Sequence, residues 1–427
     1  MEAPVDSTPE TRLTPKRLER VLKEEMILRR VSGPIAIGED RRVPEGTLGG
    51  VGLVHELLCD EEPLGVLSRV RMQLSAGGVL VFGTALLDFG PLRIPRSGWT
   101  PWQGSMRYFL RREHLHLLLL RAGFGDVWMQ RQTLGQEAEP SSTRLAPRIA
   151  SSAARMGVQS GFRGDHLLGT VIVSAVAKEA SRRPKLSIIM PVFNENATFR
   201  KAIDMVLTKD LEGVDKEVIV VESNSTDGTR EVVREYEGCS GVTAIFQDRP
   251  RGKGYAVRAG LRAATGDVIL IQDADLEYDV DDYDALLEPI LAYRRMFVLG
   301  SRHRGDWKLR RFGDAPITAF FFNLAHIFFT AVLNLLLHER MTDPFTMFKV
   351  FRRDALFGLQ FVCNRFDFDH ELVIKLVRKG YHPLEIPVNY ASRSYSEGKK
   401  VSVVHDGLTW LWTDIRLRLR PLGPRSH

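Results

Sequence analysis

Acids recur at every second position near the end of the stretch VILIQDADLEYD, Val268 to Asp279: Asp273, Asp275, Glu277 and Asp279. The aliphatic run before them reads as a buried strand, so the acids fall where that strand leaves the core. Hard cations such as Mg²⁺ and Mn²⁺ take oxygen ligands and often bridge carboxylates to a diphosphate. Asp273 and Asp275, separated by the small Ala274, offer two such ligands. A D-x-D triplet alone is a weak signal. What gives it weight is the kind of fold that carries it.

That fold is legible in the rhythm around it. LSIIM (Leu186 to Met190), EVIVV (Glu217 to Val221), VTAIF (Val242 to Phe246) and DVILI (Asp267 to Ile271) read as buried strands. Helical stretches lie between them, around Ala197 to Leu207, Thr229 to Glu237 and Gly254 to Ala264. Strand–helix alternation at this spacing predicts an α/β domain with a parallel sheet, and such sheets bind ligands at the carboxyl ends of their strands. The segments that follow the strands are PVFNEN, ESNSTDGT, QDRPRGKG and QDADLEYD, all rich in acids, amides, glycines or cations. Neither G-x-G-x-x-G after the first strand nor G-x-x-x-x-G-K-[ST] is present there, which argues against a dinucleotide site and a Walker P-loop.

Taken in order, SIIMPVFNEN, VIVVESNSTDGTREVV, RGKGYAVRAGL and VILIQDADLEYD resemble the family 2 glycosyltransferases of the GT-A fold. VLGSRH, MTDPFTMFKVFRRDAL, FDFDHELVIKLVRKGYHPLEIPVNYASRSYSEGKKVS and HDGLTWLW are similar to the branch of dolichyl- and polyprenyl-phosphate mannose and glucose synthases. The likeness covers roughly residues 185–420. It implies a nucleotide-diphospho-sugar transferase fold with a mostly parallel central sheet over residues 181–427, and inversion at the anomeric carbon. By the same resemblance, Pro191, Phe193, Glu195, Glu222 and Asp227 belong to the nucleotide pocket, with Phe193 standing where relatives carry Tyr and Ser223 where they carry an acid. Lys253 approaches the nucleotide phosphates. Asp273, Asp275 and Glu277 hold Mg²⁺ or Mn²⁺ on the donor diphosphate.

The chemistry of transfer is consistent with that assignment. Negative charge builds on the leaving nucleotide, and a divalent cation stabilises it as a Lewis acid. A lipid-phosphate acceptor is already anionic, so it needs cations to hold two repelling phosphates in line rather than a strong base. Arg302, Arg310, Arg311, Arg393, Lys399 and Lys400 are the candidates, with Arg393 and EGKK resembling the acceptor loop of the family. Asp343, in MTDP, orients the acceptor, or acts as base if the acceptor is a hydroxyl. A saccharide-hydroxyl acceptor and a non-catalytic nucleotide-sugar-binding protein are the alternatives. Asp279, Asp281, Asp282 and Asp284 read as a solvated helix start.

The membrane has two candidate contacts. APITAFFFNLAHIFFTAVLNLLL, Ala315 to Leu337, is long enough to span a bilayer. Yet Asn323, His326, Thr330 and Asn334 recur on one helical face, which favours an interfacial or substrate-facing helix. The C-terminal LTWLWTDIRLRLRPLGPR combines Leu408, Leu411, Trp412, Ile415 and Leu419 with arginines, a pattern suited to a membrane surface. The expected location is peripheral, on the cytoplasmic face of the membrane.

At 427 residues the chain predicts two domains, with a boundary near Ser181 after a Pro-, Ser- and Arg-rich stretch. Three scattered cysteines and an N-terminus without an apolar core fit a reducing compartment and no secretory signal. The net charge of +6 favours anionic partners, but the cations are not arrayed with aromatics as nucleic-acid binding requires. Residues 1–180 are less informative. AGG before VLVF, LLRAGFGDV and GTVIVSAVA resemble the back half of a Rossmann-like S-adenosylmethionine-dependent methyltransferase, without the glycine-rich cofactor motif. The expectation is a degenerate α/β domain that scaffolds or binds a partner.

Overall fold

The computed structural model describes residues 35–37, 48–54, 62–87, 111–131, 168–178, 182–303, 316–391, 403–420 and 422. The chain divides into two compact units, Met1–Ser181 and Arg182–His427.

The first unit is built on a five-stranded sheet. Strands β1 (Ile35–Ile37), β2 (Leu48–Val54) and β3 (Leu74–Leu87) run parallel. β5 (Leu168–Ala177) is antiparallel to β3 on one side and to β4 (Phe124–Arg131) on the other. Helix α1 (Pro63–Gln73) buries Val66, Leu67 and Val70, and α2 (Arg112–Arg121) buries Leu115 and Leu119, in one core with Leu80, Phe82 and Val173. Arg71 ties the layer together by donating to the carbonyls of Leu74, Gly123 and Lys178.

The second unit has a seven-stranded sheet of order β12-β10-β11-β9-β6-β7-β8. Its strands are β6 (Lys185–Val192), β7 (Asp215–Glu222), β8 (Val242–Phe246), β9 (Val268–Ile271), β10 (Phe297–Ser301), β11 (Lys349–Arg352) and β12 (Leu384–Pro387). All neighbours pair in parallel except β11, which is antiparallel to both β9 and β10. The carboxyl ends of six strands and the start of β11 therefore meet on one edge. Aliphatic residues make β6 and β9 almost wholly buried, as expected of strands covered on both faces.

Helices α3 (Phe199–Thr208), α4 (Thr229–Glu235), α5 (Lys253–Ala263) and α6 (Tyr283–Leu291) make the crossovers. Phe199, Ile203 and Val206 put α3 into the core at helical spacing, alongside Tyr283, Leu286 and Ile290 of α6. Three further helices follow: α7 (Pro316–Leu337), α8 (Asp367–Arg378) and α9 (Val403–Leu419). Among the described residues no helix is long and apolar enough to cross a membrane.

Candidate active site

The loops after β6 and β7 are laced into one wall. Asn194 N donates to Ser225 Oγ at 2.9 Å, Thr226 N to Asn194 Oδ1 at 2.9 Å, Glu195 N to Thr229 Oγ1 at 2.9 Å and Asn196 N to Asp227 Oδ2 at 3.1 Å. Pro191, at the end of β6, and Phe193 lead into this wall. Burial pushes the Asp227 carboxyl up, but hydrogen bonds from Thr229 and Asn196 win and hold it below its ordinary value. Glu222 differs from the expectation that it lines the pocket. It is 0% exposed, accepts from Ser225 N at 2.6 Å and pairs with Arg230 at 2.6 Å, so it props the loop from beneath. An ion pair buried this deeply needs both partners, since a lone buried charge is far more costly than the pair.

The acids after β9 come next. Gln272 N continues the sheet by donating to Ile189 O at 3.0 Å, and its side chain is fixed by Tyr283 and by Asp273 O. Asp273 and Asp275 follow. Lys253, the first residue of α5, sets its Nζ 2.5 Å and 2.6 Å from the two Asp273 carboxylate oxygens. Burial pushes the Asp273 carboxyl up, Asp275 and Asp369 add to the push, and Lys253 opposes it, leaving it raised to about 6. Lys253 is held above its ordinary value, because its acids outweigh the burial that would lower it. Glu277 N donates to Asp275 Oδ1 at 3.1 Å. Leu276 takes a left-handed φ of 62°, and Glu277 Oε2 accepts from Tyr390 OH at 2.8 Å. Among the described residues no group of three or more acids, histidines or cysteines is gathered for a metal.

Asp273 and Asp275 nonetheless fit a hard divalent cation. They are oxygen donors two residues apart at a strand end, and a diphosphate would supply the remaining ligands. Any such cation competes with Lys253 for Asp273.

Across the sheet, Asp343 and Arg302 form a second centre. Arg302 Nε and Nη2 donate to the two Asp343 oxygens at 2.7 Å each, and Arg302 N adds a bond of 2.9 Å. Asp343 is 0% exposed. Burial alone would raise its carboxyl, but Arg302, with help from His326, holds it well below the usual carboxylate range. Glu385 accepts from the backbone N–H groups of Thr342 and Asp343 and so fixes this turn. The guanidinium of Arg302 lies 5.3 Å from the Tyr390 ring centroid, and Tyr390 is the residue that holds Glu277. The acidic strand end and the arginine centre are thus physically joined.

Lys349 and Asp369 were not singled out by sequence reasoning. Lys349, the first residue of β11, is 0% exposed, and its Nζ lies 3.2 Å from Asp369 Oδ1. A lysine inside the apolar run MFKVF was the signal available, because a cation is rarely buried without a partner. Glu371 serves structure, accepting from Val362 N, Cys363 N and Lys375 Nζ. Asp279 caps Asp281 N, while Asp281 and Asp284 pair with Lys209, as a solvated helix start should. Arg310, Arg311, Arg393, Lys399 and Lys400 lie outside the described residues.

On α7 the polar stripe turns inward. Asn323, His326 and Thr330 are buried, Asn334 bonds both backbone groups of Met341, and His326 sits 3.9 Å from Asp343. Phe320, Leu324, Ile327, Phe328 and Leu335 are exposed instead. α9 packs beside it, with Arg418 Nε donating to Leu336 O at 2.8 Å, and exposes Trp412, Ile415 and Leu419.

With this geometry in view, comparison with known proteins gives the class. Residues 187–357 match the model of glycosyl transferase family 2, so the second unit carries a family 2 glycosyltransferase domain. Among individual proteins, the chain is similar to the low-salt glycan biosynthesis hexosyltransferase of Haloferax volcanii, 26% identical over 59% of this chain and 59% of that protein. It is 28% identical to the dolichyl-phosphate β-glucosyltransferase of Trichomonas vaginalis, over 54% of this chain and 71% of that one. It is 25% identical to the dolichol-phosphate mannosyltransferase of Pyrococcus furiosus, over 50% and 59%. The chain therefore spans between 59% and 71% of the length of these relatives. Among solved structures, glucosyl-3-phosphoglycerate synthase from Mycobacterium tuberculosis aligns at a TM-score of 0.42 and 20% identity, covering 56% of this chain and 81% of that one.

Proposed function

We propose that the second unit transfers a hexosyl group, with inversion, from a nucleotide-sugar to a polyprenyl phosphate at a membrane surface. The observation that carries the acceptor class is the state of Asp343. Both of its oxygens are taken by Arg302, and it is held as a strongly acidic carboxylate. Such a group is a poor general base, since effective bases have pKa values near the working pH. An acceptor phosphate brings its own anionic oxygen and requires no base. In this reading Asp343 positions Arg302, which meets acceptor charge, and the two relatives named for dolichyl phosphate favour the same chemistry.

On the donor side, Pro191, Phe193, Glu195 and Asp227 shape the nucleotide pocket, and Glu222 supports it from below. Asp273 and Asp275 would hold Mg²⁺ or Mn²⁺, which supplies Lewis-acid stabilisation of the leaving diphosphate. Lys253 adds a cation beside those phosphates. Arg310, Arg311, Arg393, Lys399 and Lys400 are assigned to the acceptor phosphate on the family resemblance. The exposed faces of α7 and α9 supply the membrane contact. The strand order of the first unit, with an antiparallel strand between β3 and β4, favours a degenerate methyltransferase-like scaffold.

The test is transfer from a panel of nucleotide-sugars to short polyprenyl phosphate with Mn²⁺ or Mg²⁺. Wild type should form a sugar–lipid product, and Asp343→Asn should weaken turnover without abolishing it. Complete loss in Asp343→Asn, with product formed only on saccharide hydroxyls, would sink the phosphate-acceptor reading.

A further inference from the structure

Lys253 pairs with Asp273, and the backbone brings the charge of Asp369 to bear on it. The first turn of α5 is clamped on the segment leading into α8: Gly254 N donates to Arg365 O at 3.2 Å and Tyr255 N to Asn364 O at 3.0 Å. The approach is so close that a Cβ at Gly252 would lie 2.5 Å from Asn364 O, and one at Gly254 would lie 2.5 Å from Phe368 Cβ. Asp369 is the next residue after Phe368, and its charge acts on both Lys253 and Asp273. Asp369 is in turn held by Lys349, which is wholly buried, donates also to Thr346 O and stands in register with Ile271, two residues before Asp273. Asp369 is therefore an anchored carboxylate, while the Lys253 ammonium is held only through its contacts at the end of a long side chain.

A divalent cation at Asp273 and Asp275 competes with an ammonium that sits 2.5 Å and 2.6 Å from the two Asp273 oxygens, because the two cations repel. The displaced ammonium needs another counter-ion in a site this dry. We propose that Asp369, positioned by Lys349, is that counter-ion: it draws the Lys253 ammonium off Asp273 when the cation binds. The inference rests on reading Asp273 and Asp275 as the cation site. Asp369 is thus a positioning residue, acting through Lys253.

Mn²⁺ binding without nucleotide, followed by electron paramagnetic resonance of the free ion, tests this on the full chain. Asp369→Asn should weaken Mn²⁺ affinity about tenfold, the low end for loss of an outer-shell partner. With Lys253→Met in the background the competitor is gone, and adding Asp369→Asn should leave affinity within about threefold of Lys253→Met alone, which a role of Asp369 independent of Lys253 would not give. Unchanged affinity in Asp369→Asn, or an equal loss in the Lys253→Met background, overturns the proposal. If Asp369→Asn does not fold, Lys349→Met combined with it leaves no buried unpaired charge and is read by the same two outcomes. Failure of the cation site itself looks different: wild type would bind no Mn²⁺, or bind it equally after Asp275→Ala.

Discussion

The two ends of the second sheet use the same kinds of residue to opposite effect. At the amino end, Glu217 accepts from Ser187 Oγ, from Thr265 N and Oγ1, and pairs with Lys185 at 2.7 Å. Burial pushes its carboxyl up, yet Lys185 and the Ser187 and Thr265 bonds prevail and lower it to about 2. Asp267 is similarly matched, by Arg182 and by the backbone N–H of Lys185. At the carboxyl end, Asp273 has one lysine and two neighbouring acids, and its carboxyl is raised to about 6. One end matches its carboxylates with cations and hydrogen bonds. At the other, neighbouring acids and burial push a carboxyl up, as is common at functional sites.

Four experiments can sharpen or break this contrast. The largest effect is expected for Asp275→Ala, which should lower sugar transfer about 100- to 1000-fold, the range for losing an electrostatic stabiliser of the transition state. Its melting temperature should change little, because removing a like charge beside Asp273 offsets the lost bond from Glu277 N; a cooperative loss of fold would break the comparison. Next is Asp343→Asn, expected to lower turnover about tenfold, as for loss of a group that orients a catalytic cation. The pH–rate profile should show no basic group lost.

Glu217→Gln should do the reverse of Asp275→Ala. Urea unfolding should show it about 1–3 kcal/mol less stable, the range for disrupting a buried hydrogen-bonded network, with transfer kinetics unchanged. The smallest effects are in pH dependence, where the two ends have opposite signs. Glu217 is lowered in the fold, so its contribution is full above about 4.5 and is lost as pH falls through about 2. The stability gap between wild type and Glu217→Gln should close over that window. Asp273 is raised, so its contribution is present below its ordinary 3.8 and lost as pH rises through about 6. Between those values wild-type melting temperature should decline more steeply than that of Asp273→Asn; equal slopes would remove the contrast.

Much of the donor half was legible because it is local. Apolar runs of four to six residues separated by helical stretches define the parallel strands, and β8 matches its expected bounds from Val242 to Phe246. The acidic pair follows β9 directly, so its place on the ligand edge follows once the strand is known. Roles that depend on a distant partner were harder to read. Glu222 matches a pocket acid by motif, yet its carboxylate turns to Arg230, eight residues on. Glu277 is a candidate ligand by position, and only the fold shows that its Oε2 accepts from Tyr390, 113 residues away. On α7 the spacing of Asn323, His326, Thr330 and Asn334 showed a polar face, but no spacing says whether such a face looks outward or inward.

Sequence by itself therefore determined the strand–helix alternation, the acidic pair at a strand end and the type of chemistry those residues can perform, since each follows from neighbours along the chain. Tertiary structure alone decided which charges are spent and which are free. Asp343 meets Arg302 across 41 residues, and Lys349 meets Asp369 across 20. A carboxylate's basicity, and an ammonium's choice of partner, are set by the burial and the charges around it in space, and the order of residues along the chain does not contain them.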